Sequence, residues 1–136
     1  MSLVFQDDGL IRKMGDVRAA ANATKYKMHL YSNNFSPTTA SVLANFTECT
    51  FAGYAAADCS NWTAPTVTSH VATIQADANT FTRSTTGSSQ NVYGYYITDQ
   101  AGTTLYYAEL DPSGPRVVTN AGDSVTITPK ITDQSL

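Results

Sequence analysis

Two imidazoles, two thiols and eleven acidic side chains carry whatever covalent chemistry this 136-residue chain can perform. The imidazoles, His29 and His70, each stand mid-way along a run in which apolar and polar residues alternate. A histidine flanked by Lys27 and Tyr31 in such a run reads as a solvent-facing strand residue rather than a general base. Nucleophilic catalysis needs a nucleophile, a base and a group that orients the base. Cys49 or Cys59 with His70 and Asp58 would supply those types, yet C-x9-C-x10-H matches neither a zinc pattern nor a thiol-protease signature. Glu48 and Asp77 are two acids that the fold could bring together as a glycosidase pair. Asp7-Asp8 before Gly9 reads as a solvated turn rather than a cation site. No G-x-S-x-G, Walker loop, H-E-x-x-H or calcium loop occurs. The chain is therefore expected to act without catalysis, cofactor or metal.

Some element must position these residues, and the pattern that dominates is β. From Lys25 the chain alternates strictly, with Tyr26, Met28 and Leu30 on one face and Lys27, His29 and Tyr31 on the other. Ser32-Asn33-Asn34 and Ser36-Pro37 end that strand. Residues 39–46 read as a loop with a helical turn that drops Val42, Leu43 and Phe46 into the core. A short strand is expected over Glu48–Tyr54, with Trp62 plugging one end of the core. Thr66–Ala76 reads as one long strand with an irregularity, and Asn79–Arg83 as another short one. Asn91–Leu110 then reads as a hairpin, because Gly102 supplies the positive φ of a tight loop between two runs rich in Val, Ile, Leu, Thr and Tyr. Both faces of its first strand carry large apolar groups, so it is expected to be covered twice, by a second sheet and by another segment or subunit. Asp111-Pro112-Ser113-Gly114 fits a type I turn. Short strands at Arg116–Thr119 and Ser124–Pro129 close the pattern.

Seven to nine short strands separated by turns predict an all-β fold, an antiparallel β-sandwich, with a jelly roll as the first choice and an immunoglobulin-like sandwich as the second. The order Cys…Trp…Cys of the latter is missing. Residues 1–24 lack a sustained apolar stripe and are read as an extended N-terminal arm, with one short strand at Leu3–Gln6. Residues 25–136 form the sandwich domain.

A net charge of −3 with scattered Lys and Arg argues against nucleic acid as a partner. Only 14% of the residues are charged, which fits a chain that works inside an assembly. No run is long and apolar enough to span a bilayer, and no secretory signal is visible at the start, so synthesis in a cytoplasm is expected. Cys49 and Cys59 read either as a disulfide closing a small loop or, in preference, as two small buried hydrophobes. Four N-x-S/T sequons are taken as a consequence of composition.

The segment SVLANFTECTFAGYAAADCSNWTAP, followed by VYGYYITDQAGTTLYYAEL, resembles small structural proteins of tailed bacteriophages. The resemblance rests on Val42 through Glu48, Phe51, Gly53-Tyr54, Val92 through Tyr96, Thr98-Asp99 and Leu105 through Glu109, and leaves the arm unmatched. It implies a virion component, most like a capsid decoration or cement protein on the outer capsid surface. Its partners would be the major capsid protein and its own copies, with a homotrimer expected. The self-interface is expected at Tyr93, Tyr95 and Tyr106, and the capsid contact at Leu3, Val4, Phe5, Leu10, Ile11 and Met14. Two alternatives stand beside it. One is a tail, baseplate or fibre protein; the other is a carbohydrate-binding module that presents Tyr31, Tyr54, Trp62 and Tyr93 as stacking platforms.

Overall fold

The structure, a computed structural model, describes residue 1 and residues 3–134 of the chain. Helix α1 (Asp7–Thr24) comes first, then β1 (Lys27–Tyr31), a 3-10 turn at Leu43–Asn45, β2 (Ala57–Asp58), β3 (Thr66–Thr68), β4 (Val71–Gln75), β5 (Asn79–Thr82), β6 (Gln90–Val92), β7 (Gly94–Thr98), β8 (Leu105–Leu110), β9 (Arg116–Val118), β10 (Ser124–Ile127) and β11 (Lys130–Gln134). The protein is mostly β, and its ladders are antiparallel.

The N-terminal segment departs from expectation. In place of an extended arm with a strand at Leu3–Gln6 stands an 18-residue helix behind a short irregular stretch. Leu10, Met14, Val17 and Ala21 recur at helical spacing and define one face. Leu10, Met14 and Ala21 are fully buried in the main core, and the helix packs on β4, β3 and β11. Asp7 and Asp8 in the first turn suit the positive end of the helix dipole, and Lys25 in the left-handed region at φ 50 ends the helix.

The largest sheet has the order β2-β1-β7-β8. β1 pairs with β7 along its whole length, from Lys27 opposite Thr98 to Tyr31 opposite Gly94. Its other side is shared. β2 takes Lys27 and Met28, Glu48 bridges Tyr31, and the Cys49 amide donates to the Leu30 carbonyl at 2.9 Å. The Leu30 amide, left in the gap, donates to the Tyr54 hydroxyl at 2.9 Å. Residues 48–54 supply only this bridge instead of the expected strand. The Thr50 and Phe51 amides go to the Gln90 side chain, and the Tyr54 amide closes a turn on Phe51.

All five residues of β7 are buried, as a strand covered on both faces requires. Met28, Leu30, Tyr95 and Ile97 belong to the main core, together with Ala72, Ile74, Phe81, Val92, Val118, Val125 and Ile131 from the other sheets. On the opposite face Tyr31 and Tyr96 lie with Phe46, and Phe35, Leu43, Tyr93, Leu105, Ala108 and Leu110 pack round them. That second cover is a loop of the same chain, residues 32–47.

The strand predicted to run from Val92 to Thr98 breaks at Tyr93. β6 pairs with β9, while β7 stays in the main sheet. Gly94 permits the crossing, since a Cβ there would lie 2.1 Å from the Glu109 carbonyl oxygen and 2.7 Å from the Tyr31 hydroxyl. The long strand expected over Thr66–Ala76 is a hairpin of β3 and β4. Ser69 and His70, at φ 49 and 63, form its two-residue turn without the Asn or Gly that normally announces one. β10 and β11 pair with β5 and β4, and the Ala76 amide donates to the Pro129 carbonyl at 3.1 Å where the ladder breaks. β11 lies beyond the last strand that the alternation marks.

Candidate functional site

Polar chemistry concentrates where loop 32–47 returns to β1. His29 is buried, not solvent-facing as its place in the alternation suggested, because the loop covers that face of the sheet. Its Nδ1 lies 2.7 Å from Glu48 Oε1 and its Nε2 3.0 Å from Thr98 Oγ1. The ring stacks on Tyr96 with centroids 4.7 Å apart. Tyr54 donates its hydroxyl proton to the same Glu48 oxygen at 2.9 Å, and Thr98 donates its own to the Asp99 carbonyl at 2.8 Å. Because the Thr98 proton is committed, the contact with Nε2 is an N–H donated to Thr98.

Carboxylate, imidazole and hydroxyl thus stand in the order of a hydrolase relay. The resemblance stops at the hydroxyl. Thr98 is completely buried and gives its proton to a backbone carbonyl, so it presents no nucleophile to solvent. What the chain of bonds does is fasten the return of loop 32–47 to the middle of β1 and the end of β7. Burial, with the Glu48 charge second, pushes the Tyr96 hydroxyl up to about 12, and burial acts in the same sense on Tyr54. Both phenols therefore stay protonated through the neutral range.

The remaining chemistry-bearing residues are scattered. His70 pairs with Asp7 at 2.9 Å on an exposed surface. Asp77 accepts from Asn61 at 2.5 Å and donates its amide to Ser60, so it and Glu48 lie at opposite ends of β1. Cys49 and Cys59 are free and buried, and burial pushes both thiols up to about 12. Their amides bond to Leu30 in β1 and to Tyr26 just before it, four residues apart along the chain. That separation is roughly 13 Å along a strand, beyond the reach of a disulfide. Among the described residues no group of three or more His, Cys, Asp and Glu is placed to hold a metal ion, and no helix is long and apolar enough to cross a membrane.

The residues proposed from sequence to make contacts separate into two kinds. Leu3, Val4, Phe5 and Ile11 are exposed. Leu10 and Met14 face the domain's own core and cannot reach a partner without undocking α1. Nor do Tyr93, Tyr95 and Tyr106 form one surface. Tyr93 packs in the cluster under the loop, Tyr95 is buried in the main core, and Tyr106 lies tilted against Tyr26 with centroids 4.9 Å apart. The break at Tyr93 and an irregularity in β8 opposite Ile97 and Thr98 put the three out of phase. Of the aromatic platforms, Tyr31 and Trp62 are fully buried, and Tyr54 has its ring against Phe51 and Phe81.

Comparison with known protein families, with curated proteins and with solved structures finds no match.

Proposed function

We propose that this chain is a non-catalytic structural protein of a bacteriophage particle, of the capsid decoration type, acting as a homo-oligomer on the outer capsid surface. The observation that supports this is the apolar N-terminal stretch. Leu3, Val4 and Phe5 are 101%, 57% and 51% exposed, beside a domain whose other large apolar residues are mostly interior. Apolar side chains gathered at one exposed end of a chain fit a contact with a second protein better than a contact with water. The relay that ends in a buried Thr98 argues in the same direction, because it builds structure where an enzyme would keep an open site.

On this proposal the sheets are the two layers of a β-sandwich of jelly-roll type, and the partner is the major capsid protein. Expansion or rupture of the shell must then also break the contacts each copy makes, which is stabilisation by linked binding. The capsid contact narrows to Leu3, Val4, Phe5 and Ile11, since Leu10 and Met14 are needed inside the domain.

Quantitative mass spectrometry of purified particles tests the assignment. A copy number close to that of the major capsid protein supports decoration. A ratio of a few per cent moves the protein to the tail or a vertex, and its absence from particles overturns the proposal.

A further inference from the structure

The two ends of the main sheet differ. At the β1 end, β2, Glu48, Cys49 and the Tyr54 hydroxyl take up the strand's outward groups. At the other end stands β8, paired only with β7. The Asp111 amide donates to Tyr93 at 2.8 Å, so the hydrogen-bonded pairs of this ladder fall at Asp111, Glu109 and Tyr107. By the alternation of an antiparallel ladder, the amides and carbonyls of Ala108 and Leu110 point away from the sheet. No partner takes them among the described residues.

Natural edge strands are normally guarded by lysine, proline, shortness or a covering segment. β9 and β3 are three residues long. β11 carries Lys130 and an Asp133 paired with Lys13, and the Thr126 carbonyl of β10 is occupied by Arg116 at 3.3 Å. β8 is six residues of sequence LYYAEL, with neither lysine nor proline, and an irregularity only near its start. The neighbouring segments stand off from it. A hollow of about 440 Å³ separates it from Pro37–Ser41 on one side, and one of about 530 Å³ separates it from Thr128–Thr132 on the other.

We propose that the β8 edge is the self-association surface, with two copies pairing antiparallel along Tyr106–Leu110 so that their four-stranded sheets become one continuous sheet. A second copy fits because β8 complements itself. Centred on Ala108, the pairing sets Ala108 opposite Ala108 of the second copy and Glu109 opposite Tyr107. No carboxylate then faces a carboxylate, and each carboxylate meets a phenol. The contact is isologous and closes after two copies, which replaces the threefold expectation. It rests on the homo-oligomer named in the proposed function and gives it a different surface from the tyrosines first singled out.

Two variants of the full chain test it. Ala108→Pro removes an outward amide while leaving the ladder to β7 intact. Wild type is expected to sediment as a dimer at tens of micromolar, and the variant as a monomer with unchanged far-UV circular dichroism, its self-affinity weakened at least tenfold. Ala108→Cys covers the case in which the proline variant does not fold. Paired Cα atoms at a hydrogen-bonded position lie about 5.5 Å apart, within disulfide range. Both native thiols are buried, so mild oxidation should yield a disulfide-linked dimer through position 108 alone, and a Thr103→Cys control at the hairpin tip should not. A monomeric wild type, a Pro variant that still dimerises, or no cross-link at 108 overturns the proposal. If the wild type is monomeric yet abundant in particles, only the edge pairing falls. If it dimerises but is absent from particles, only the virion assignment does.

Discussion

Asp123 Oδ2 accepts the amides of both Thr119 and Asn120, at 2.8 Å each, and so holds the turn before β10 closed. Those two bonds, helped by the Arg83 charge, keep its carboxyl below the usual range although burial opposes them. A carboxyl whose affinity for protons is lowered by folding stabilises the fold above its unfolded value, near 3.9, and that contribution is lost as pH falls through the folded value. The melting temperature of wild type should therefore exceed that of Asp123→Asn most above about pH 5, and the gap should close as pH drops below about 4. A gap that persists unchanged to pH 2.5 would show that the charge plays no part. His29→Gln belongs to the same scale. It leaves Glu48 and Thr98 without the ring that joins them, at an expected cost of about 1–3 kcal/mol in urea unfolding. The turn at Asn120–Asp123 is legible from its Asn, Gly and Asp, but the role of His29 is not. His29 lies on the polar side of an alternating strand, and the carboxylate that receives it is 19 residues away in the chain. Alternation reports which side a residue takes and is silent about what a distant loop later lays over that side.

Elements were readable where their signal was local. The β7–β8 hairpin announces itself through Gly102, at φ 74, between two β-rich runs, and β1, β5, β9 and β10 follow from alternation bounded by turns. The β3–β4 turn does not, because Ser69 and His70 adopt a conformation that composition assigns to Asn and Gly. Helix α1 was missed for a related reason. Its buried stripe of Leu10, Met14 and Ala21 ends in a small residue, and small residues leave little trace in a hydrophobic pattern. Two substitutions test the elements as described. Gly94→Ala should destabilise by about 3 kcal/mol, because the added methyl meets backbone at 2.1 Å where β6 and β7 part, and cores resist overpacking. A Tm equal to wild type would mean that the crossing is looser than the structure has it. Gln6 stands at the N-cap of α1 with no side-chain cap bond, so Gln6→Ser should raise stability by about 1 kcal/mol in urea unfolding.

At the level of the whole molecule, sequence conveyed the class but not the covering. Antiparallel sheets and a doubly covered Tyr-rich strand follow from composition and periodicity. The identity of the second cover could not, since loop 32–47 packs through Phe35, Leu43 and Phe46 spread over a stretch with no period of its own. The boundary drawn at residue 24 was likewise a matter of composition, whereas contact with the domain core begins within α1, at Leu10, which divides the chain near residue 6. Two truncations separate these divisions. Removing residues 1–5 takes away the side chains of Met1, Leu3, Val4 and Phe5, each half or more exposed, together with the stacking of Lys13 over Phe5 at 5.2 Å. A surface cation–π contact contributes about 0.5–1 kcal/mol, so Tm should fall by no more than a few degrees while attachment to particles is lost. Removing residues 1–14 also empties the places of Leu10 and Met14, both 1% exposed. Each such loss costs about 2–5 kcal/mol, against a total stability of about 5–15 kcal/mol for a domain, so that chain should melt far lower or fail to fold. If the shorter truncation instead lowers Tm by more than about 8 °C, the exposed segment is part of the fold, and its availability to a capsid goes with it.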